Sequence, residues 1–186
     1  MKRLFDVVLA CVAGLLFLVP GLILALAVWL TSRGPILYWS DRVGRSNIIF
    51  RMAKFRSMRL GTPAVATHLL SSSGSYLTPI GSFLRKTSLD ELPQLYNILN
   101  GDMSFVGPRP ALFNQHDLIN LRTARGVHCL VPGLTGLAQV NGRDDITISA
   151  KVALDTEYLH RASFLLDIQI ICKTILKVFR CEGVSH

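Results

Sequence analysis

Asp90 and Glu91 stand side by side in the stretch KTSLDELPQLYNILNGDMSFVGPRP, with Arg85 and Lys86 before them and Arg109 after. Paired carboxylates flanked by cations are suited to phosphate chemistry: a carboxylate attacks phosphorus or holds a metal, and guanidinium groups hold the oxygens. Pro108 and Pro110 lock the backbone on both sides of Arg109, so one guanidinium is presented rigidly. The same acidic pair also reads as a pair of helix caps, the commonest use of Asp and Glu at a helix start.

The element that must carry the pair is a helix. Leu89, Leu92, Tyr96 and Leu99 recur at i, i+3, i+7 and i+10, and Asn100-Gly101 forms a stop. Thr87 or Ser88 can cap it, and Ser88-x-x-Glu91 fits a capping box. With Asp90 itself as cap, Pro93 falls in the first turn, where no amide partner is needed. Either way Asp90 sits where the helix dipole favours a carboxylate or a bound phosphate.

At 186 residues the chain forms one domain large enough for a core. Half its residues are hydrophobic, its mean hydropathy is +0.40 and its formal charge is +8, which point to a membrane and an anionic partner. Cys11, Cys129, Cys172 and Cys181 are scattered, giving neither zinc spacing nor a disulfide framework.

Leu4 to Leu30 is almost wholly apolar and is predicted to be a membrane helix; no small-x-small site suggests a cleaved signal. Pro20-Gly21 predicts a strong kink in mid-run. Lys2 and Arg3 precede the run and Arg33, Arg42 and Arg45 follow it, so both flanks favour the cytoplasmic side. A helix that enters and returns satisfies both details; the residues alone leave a spanning helix open. Asp6 reads either as a partner of Lys2 or Arg3 at the interface or as a residue that only sits in the headgroup zone.

Ile36 to Trp39 is a short β-like run. Arg42, Arg45, Arg51, Lys54, Arg56 and Arg59 then alternate with apolar residues, mostly a basic face for anionic lipid. No zinc-finger, helix-turn-helix or RNA-binding pattern accompanies this charge. Residues 61–78 read as a long surface loop or lid, with His68 structural or solvated. Leu112 to Gly126 is a polar helix without a functional signal. Gly133, Gly136 and Asn141-Gly142 mark turns. A helix over Thr147 to Tyr158 carries Asp155 and Glu157, either a solvated acidic face or one residue near the site. Ser163 caps a last amphipathic helix with Ile168, Ile171, Cys172, Ile175 and Phe179 on one face, and Lys173, Lys177 and Arg180 on another. Such a helix packs on the domain or lies in the membrane interface, and the interface is favoured.

The central stretch resembles the signature of the bacterial sugar transferase family, the monotopic polyprenyl-phosphate phosphoglycosyl transferases. KRLFD, GPILYWSDRVGR, KFRSM and PGLTGLAQVNGR resemble further family blocks, in order from Lys2 to about Phe179. One departure is Leu137, where the family usually has Trp. The resemblance implies a helix-rich α/β protein: a re-entrant membrane helix over 1–33 and a catalytic domain over 34–186, on the cytoplasmic face of the bacterial inner membrane. It implies transfer of a phosphosugar from a UDP-sugar to polyprenyl (undecaprenyl) phosphate, with UMP released and a covalent aspartyl-phosphosugar intermediate. Asp90 would be the nucleophile, and Asp90 and Glu91 would hold Mg²⁺. Lys54, Arg56, Arg85, Arg109 and Arg143 would bind phosphate or nucleotide, and Lys2, Arg3 and Pro20 would anchor the chain in the membrane. Expected partners are the two substrates and anionic lipid, with no nucleic acid; a homo-oligomer stays open. Two other classes stay open on the residues: a membrane scaffold that tolerates Asp90→Asn, and a membrane-anchored nucleic-acid binder with salt-sensitive affinity.

Overall fold

The computed structural model describes residues 1–63, 73–142 and 146–179. The architecture is helix-rich α/β, as the sequence leads one to expect. The apolar N-terminus forms α1 (Lys2–Leu16) and α2 (Leu18–Thr31), bent by 63° at Phe17. The break therefore falls ahead of Pro20-Gly21. A proline ring collides with the carbonyl four residues back, which here is Leu16, the last residue of α1. Pro20 itself occupies the first turn of α2, where its missing N–H leaves no bond unmade. Neither helix alone is long and apolar enough to cross a membrane; the bent pair together has that length and composition.

The hairpin shares two cores with the rest of the chain. Ala10 of α1 packs with Met52, Ile98 and Met103, and Leu24 and Val28 of α2 pack with Phe55 and Leu84. Between these cores runs an antiparallel pair, β1 (Leu37–Val43) and β2 (Ile49–Phe55), with Tyr38 opposite Lys54. The extended run thus continues past Trp39, and the basic residues after it are distributed over a β-hairpin and its exit. Arg51 lies over the Trp39 ring, which also meets Tyr96 edge-on.

The expected central helix is divided. Leu89–Glu91 form a 3₁₀ turn, and α4 starts only at Gln94 and runs to Asn100; α3 (Gly81–Lys86) precedes the turn. Ser88 adopts a left-handed φ of 57° and caps nothing with its side chain, so neither the capping box nor the Asp90 cap forms. Successive three-residue bonds, Glu91 N to Ser88 O, Leu92 N to Leu89 O and Leu95 N to Leu92 O, keep the chain tightly wound across Pro93. The face turned inward on α4 is Gln94, Asn97 and Ile98, while Tyr96 and Leu99 are exposed. Asn97 is fully buried: its Oδ1 accepts Ala53 N at 2.9 Å and its Nδ2 donates to Arg51 O at 2.8 Å. One amide side chain thereby satisfies two backbone groups at the free edge of β2, and seals α4 to that strand.

The second half holds a parallel pair, β3 (Ser104–Val106) and β4 (Gly133–Thr135), where the sequence suggested only turns. The pairing is close enough to require glycine: a Cβ on Gly133 would sit 2.1 Å from Gly107 N, and one on Gly136 2.1 Å from Gly107 O. Around it stand α5 (His116–Ala124), α6 (Leu137–Asn141), α7 (Ile148–Arg161) and α8 (Phe164–Phe179). The Thr147 hydroxyl caps α7 by accepting Ala150 N, and Ser163 Oγ accepts Leu166 N at the start of α8. The buried residues of α8 are Asp167 and Ile170; of the apolar face read from the sequence, Ile171 packs half-buried against the same core, whereas Cys172 and Ile175 are exposed.

Candidate active site

Three separate pieces of chain converge on the acidic pair. Lys54 comes from β2, held in place by the cores on either side and by Asn97. Asp90 and Glu91 come from the 3₁₀ turn, and Arg109 from the loop after β3. Lys54 Nζ lies 2.9 Å from Glu91 Oε1, and Arg109 Nη2 lies 2.8 Å from the same oxygen. Asp90 Oδ2 stands 3.8 Å from Lys54 Nζ, beyond hydrogen-bond reach. Both acids are nearly shielded from solvent, with side-chain exposures of 10% and 12%.

This unequal division of charge sends the two carboxyls in opposite directions. Burial is the largest influence on each. At Asp90 burial prevails, reinforced by the neighbouring Glu91 charge and only partly opposed by Lys54, Arg109 and Arg85, so its acid strength falls below that of an ordinary Asp. At Glu91 the charges and direct bonds of Arg109 and Lys54 overcome burial and hold it far below the usual carboxylate range. Glu91 is held as an anion; at Asp90 the charged form is poorly compensated.

Of the residues picked from the sequence, Lys54, Asp90, Glu91 and Arg109 are thus brought together, and Arg85 at the end of α3 acts on Asp90 through its charge. Arg56 goes elsewhere: its Nη2 donates to the Ser32 carbonyl and hydroxyl at the exit of α2, and the residue is 3% exposed. Gly34 makes room for it, since a Cβ there would meet Arg56 Nη1 at 2.3 Å. Arg143, Arg180 and His68 lie outside the described residues, as do 64–72 of the proposed loop. Its described ends are joined, with Met58 bridged to Leu77 and Arg59 N bonded to Tyr76 O.

Lys2 and Arg3, expected at the membrane surface, are bonded into the protein. Lys2 pairs with Asp167 and donates to Tyr158, and Arg3 donates to the Ile98 and Leu99 carbonyls at the end of α4. Asp6 pairs with neither; it is buried and accepts Ser104 Oγ and Phe105 N, each at 3.1 Å. Burial, and the hydrogen bond to Asp167, hold the Tyr158 hydroxyl protonated well above the ordinary tyrosine range.

Sequence reasoning missed Asn97 and Arg122. A polar residue on the inward face of a helix is the only local signal for the first, and Arg122 sits in a helix that reads as bland. Asp155 reaches the site at one remove, through Arg122; Glu157 is half-buried and pairs with Arg161 along its own helix.

Residues 1–181 match the bacterial sugar transferase family, and the chain belongs to it. Among its relatives, the exopolysaccharide production protein ExoY of Rhizobium meliloti is 38% identical, over 98% of this chain and 87% of its own length. The undecaprenyl-phosphate glucose phosphotransferase of Komagataeibacter xylinus is 43% identical over 94% of this chain, and the galactosyl transferase CpsE of Streptococcus agalactiae 38% over 99%. The chain spans only 35% and 43% of the length of these last two.

Proposed function

We propose that this chain transfers a sugar 1-phosphate from a UDP-sugar to polyprenyl phosphate, initiating assembly of a glycoconjugate at the cytoplasmic face of the bacterial inner membrane. The observation that carries the reading is the division of labour at the acidic pair. Glu91 gathers Lys54 and Arg109 beside Asp90, which leaves the Asp90 oxygens for an incoming phosphorus. Asp90 attacks the sugar-linked phosphorus of the donor. The bond from that phosphorus to the bridging oxygen breaks, and UMP leaves with that oxygen. An oxygen of polyprenyl phosphate then attacks the same phosphorus, the aspartyl–phosphorus bond breaks, and Asp90 returns as a carboxylate. Lys54 and Arg109 neutralise phosphate oxygens as charge builds, with Arg85 and Arg143 as further phosphate contacts.

Mg²⁺ fits this donor set in one manner. Two carboxylates with one oxygen already taken by cations make an incomplete cage, and Mg²⁺ commonly completes its shell with substrate phosphates and water. Asp90, with the second oxygen of Glu91, would hold it there, and it would supply charge neutralisation across the diphosphate.

Access for a lipid supports the same reading. The hairpin exposes a continuous apolar surface, including Leu15, Leu16, Val19, Leu22, Ile23 and Leu30, and α8 adds Phe164, Leu165 and Leu176. A bent pair with basic residues at both ends suits re-entry from one side. Between the hairpin arms and the domain lies an open apolar groove of about 600 Å³, with Phe55, Leu92 and Pro93 among its walls. These residues adjoin Lys54 and Glu91 in sequence, so an isoprenoid chain in the groove would leave its phosphate near the acidic pair.

The test is intact-mass spectrometry of the purified protein with Mg²⁺ and a panel of UDP-sugars, without lipid acceptor. An added phosphosugar on the parent and none on Asp90→Asn is the expected result. UMP release only after polyprenyl phosphate is added, with no adduct beforehand, would replace the covalent route by direct transfer. No UMP under either condition would overturn the transferase reading for these donors.

A further inference from the structure

The segment that presents Arg109 cannot hold itself in place. Pro108 and Pro110 have no N–H to donate, and the residue before a proline is confined to extended geometry. Its carbonyls are held instead by other elements. Pro108 O accepts Gly133 N of β4 at 2.9 Å, Arg109 O accepts Arg122 Nη1 of α5 at 2.8 Å, and Pro110 O accepts Arg42 Nη1 of β1 at 3.2 Å. Ala111 O accepts Val43 N at 2.9 Å.

Arg122 is the member whose arrangement exceeds a backbone clasp. It is 8% exposed, and its Nε and Nη2 both donate to Asp155 Oδ2, at 2.9 and 2.6 Å. Asp155, on α7, is 1% exposed. A buried carboxylate therefore aims a buried guanidinium, whose remaining edge grips the backbone of Arg109, whose own guanidinium reaches Glu91. A bond donated by a charged group is stronger and more directional than a neutral one; Arg109 O and Pro110 O each accept one, and the bond to Arg109 O is the shorter, 2.8 against 3.2 Å.

We infer that Arg122 and Asp155 form a positioning pair for Arg109, fixing its guanidinium at the acidic pair and so setting how the enzyme holds the phosphates of its soluble donor. Neither residue touches substrate; both act through the Arg109 backbone. The inference rests on the proposed sugar-phosphate transfer. Asp155→Asn keeps the shape of the pair and weakens the aim, and Arg122→Lys keeps the charge but cannot hold a carboxylate edge and a carbonyl together.

The experiment is steady-state transfer by the full chain in nanodiscs, varying UDP-sugar and polyprenyl phosphate separately, for the parent, Asp155→Asn, Arg122→Lys, Arg109→Ala and Arg109→Ala combined with Asp155→Asn. Both single variants are expected to lose about 10- to 100-fold in kcat/KM for the donor, with KM for the lipid acceptor unchanged. In the Arg109→Ala background, Asp155→Asn should add about twofold or less, because the residue it acts through is gone. Equal losses for donor and acceptor, or additive losses in the double variant, would overturn the inference and leave a merely structural pair. If Asp155→Asn fails to fold by circular dichroism, Arg122→Lys and its combination with Arg109→Ala carry the same cycle. A parent that transfers nothing to lipid would strike at the proposed function, whereas an active parent with parent-like variants would strike only at the pair.

Discussion

At the foot of α1 each buried carboxylate has its own donors, whereas at the acidic pair two carboxylates compete for the same cations and one takes nearly all. Asp6 is met by Ser104 Oγ and Phe105 N, and Asp167 by Lys2 and Tyr158. Glu91 holds Lys54 and Arg109 at bonding distance, while Asp90 stands 3.8 Å from Lys54. The first arrangement fastens the N-terminal hairpin to the domain and gives each acid its own donors. The second fixes one acid as scaffold and keeps the other undercompensated, a state that costs stability and suits a nucleophile.

The largest effect should come from separating those two roles. Asp90→Asn is expected to abolish transfer by about a thousandfold or more, while leaving the thermal midpoint in detergent equal to or above the parent's. Glu91→Gln should instead lower the midpoint, because Lys54 and Arg109 lose the charge that both bind. A lower midpoint for Asp90→Asn, or an unchanged one for Glu91→Gln, would erase the contrast.

The seam offers the next test. Asp6→Ala leaves the buried Ser104 hydroxyl and the half-buried Phe105 N–H without this acceptor, and should cost about 2–3 kcal/mol in chemical unfolding. Because the residue belongs to the fastening and not to the chemistry, the folded fraction should still form the donor adduct. Loss of the adduct in folded protein would join the two regions functionally.

The smallest effect is in pH. Asp90 protonates more readily folded than unfolded, so its penalty is full above the raised value and disappears as pH falls toward its ordinary 3.8. Glu91 runs the other way: its contribution is present above its ordinary 4.5 and is lost as pH falls below it. On acidification from neutral pH, the midpoint advantage of Asp90→Asn should therefore shrink first. The deficit of Glu91→Gln should persist down to about 4.5 and then close. Midpoints of the three proteins across that range check the order, and parallel curves would contradict it.

Much of this molecule is legible in one dimension. The apolar run, its proline break, the β-like start at Ile36 and the capped helices after Thr147 and Ser163 all follow from local composition. The acidic pair and Arg109 stand out because the prolines and cations around them are unusual at short range. The precise place of the bend was less legible, because a proline acts on a carbonyl four residues earlier. The division of the central helix was hidden too, since Leu89, Leu92, Tyr96 and Leu99 keep a helical period while the buried face is set by Gln94, Asn97 and Ile98.

What the sequence determined by itself is the chemistry available: which groups can attack, which can neutralise phosphate, and which stretch is too apolar for water. Those are properties of residue types and short spacings. Tertiary structure alone decided how the groups share charge. It gave both cations to Glu91, joined SFVG to PGLTG in a glycine-tight parallel pair, turned Arg56 toward Ser32, and set Asp155 behind Arg122. Each of these depends on distances between residues far apart in the chain, and at those distances burial and Coulomb attraction, not residue identity, determine what a carboxylate does.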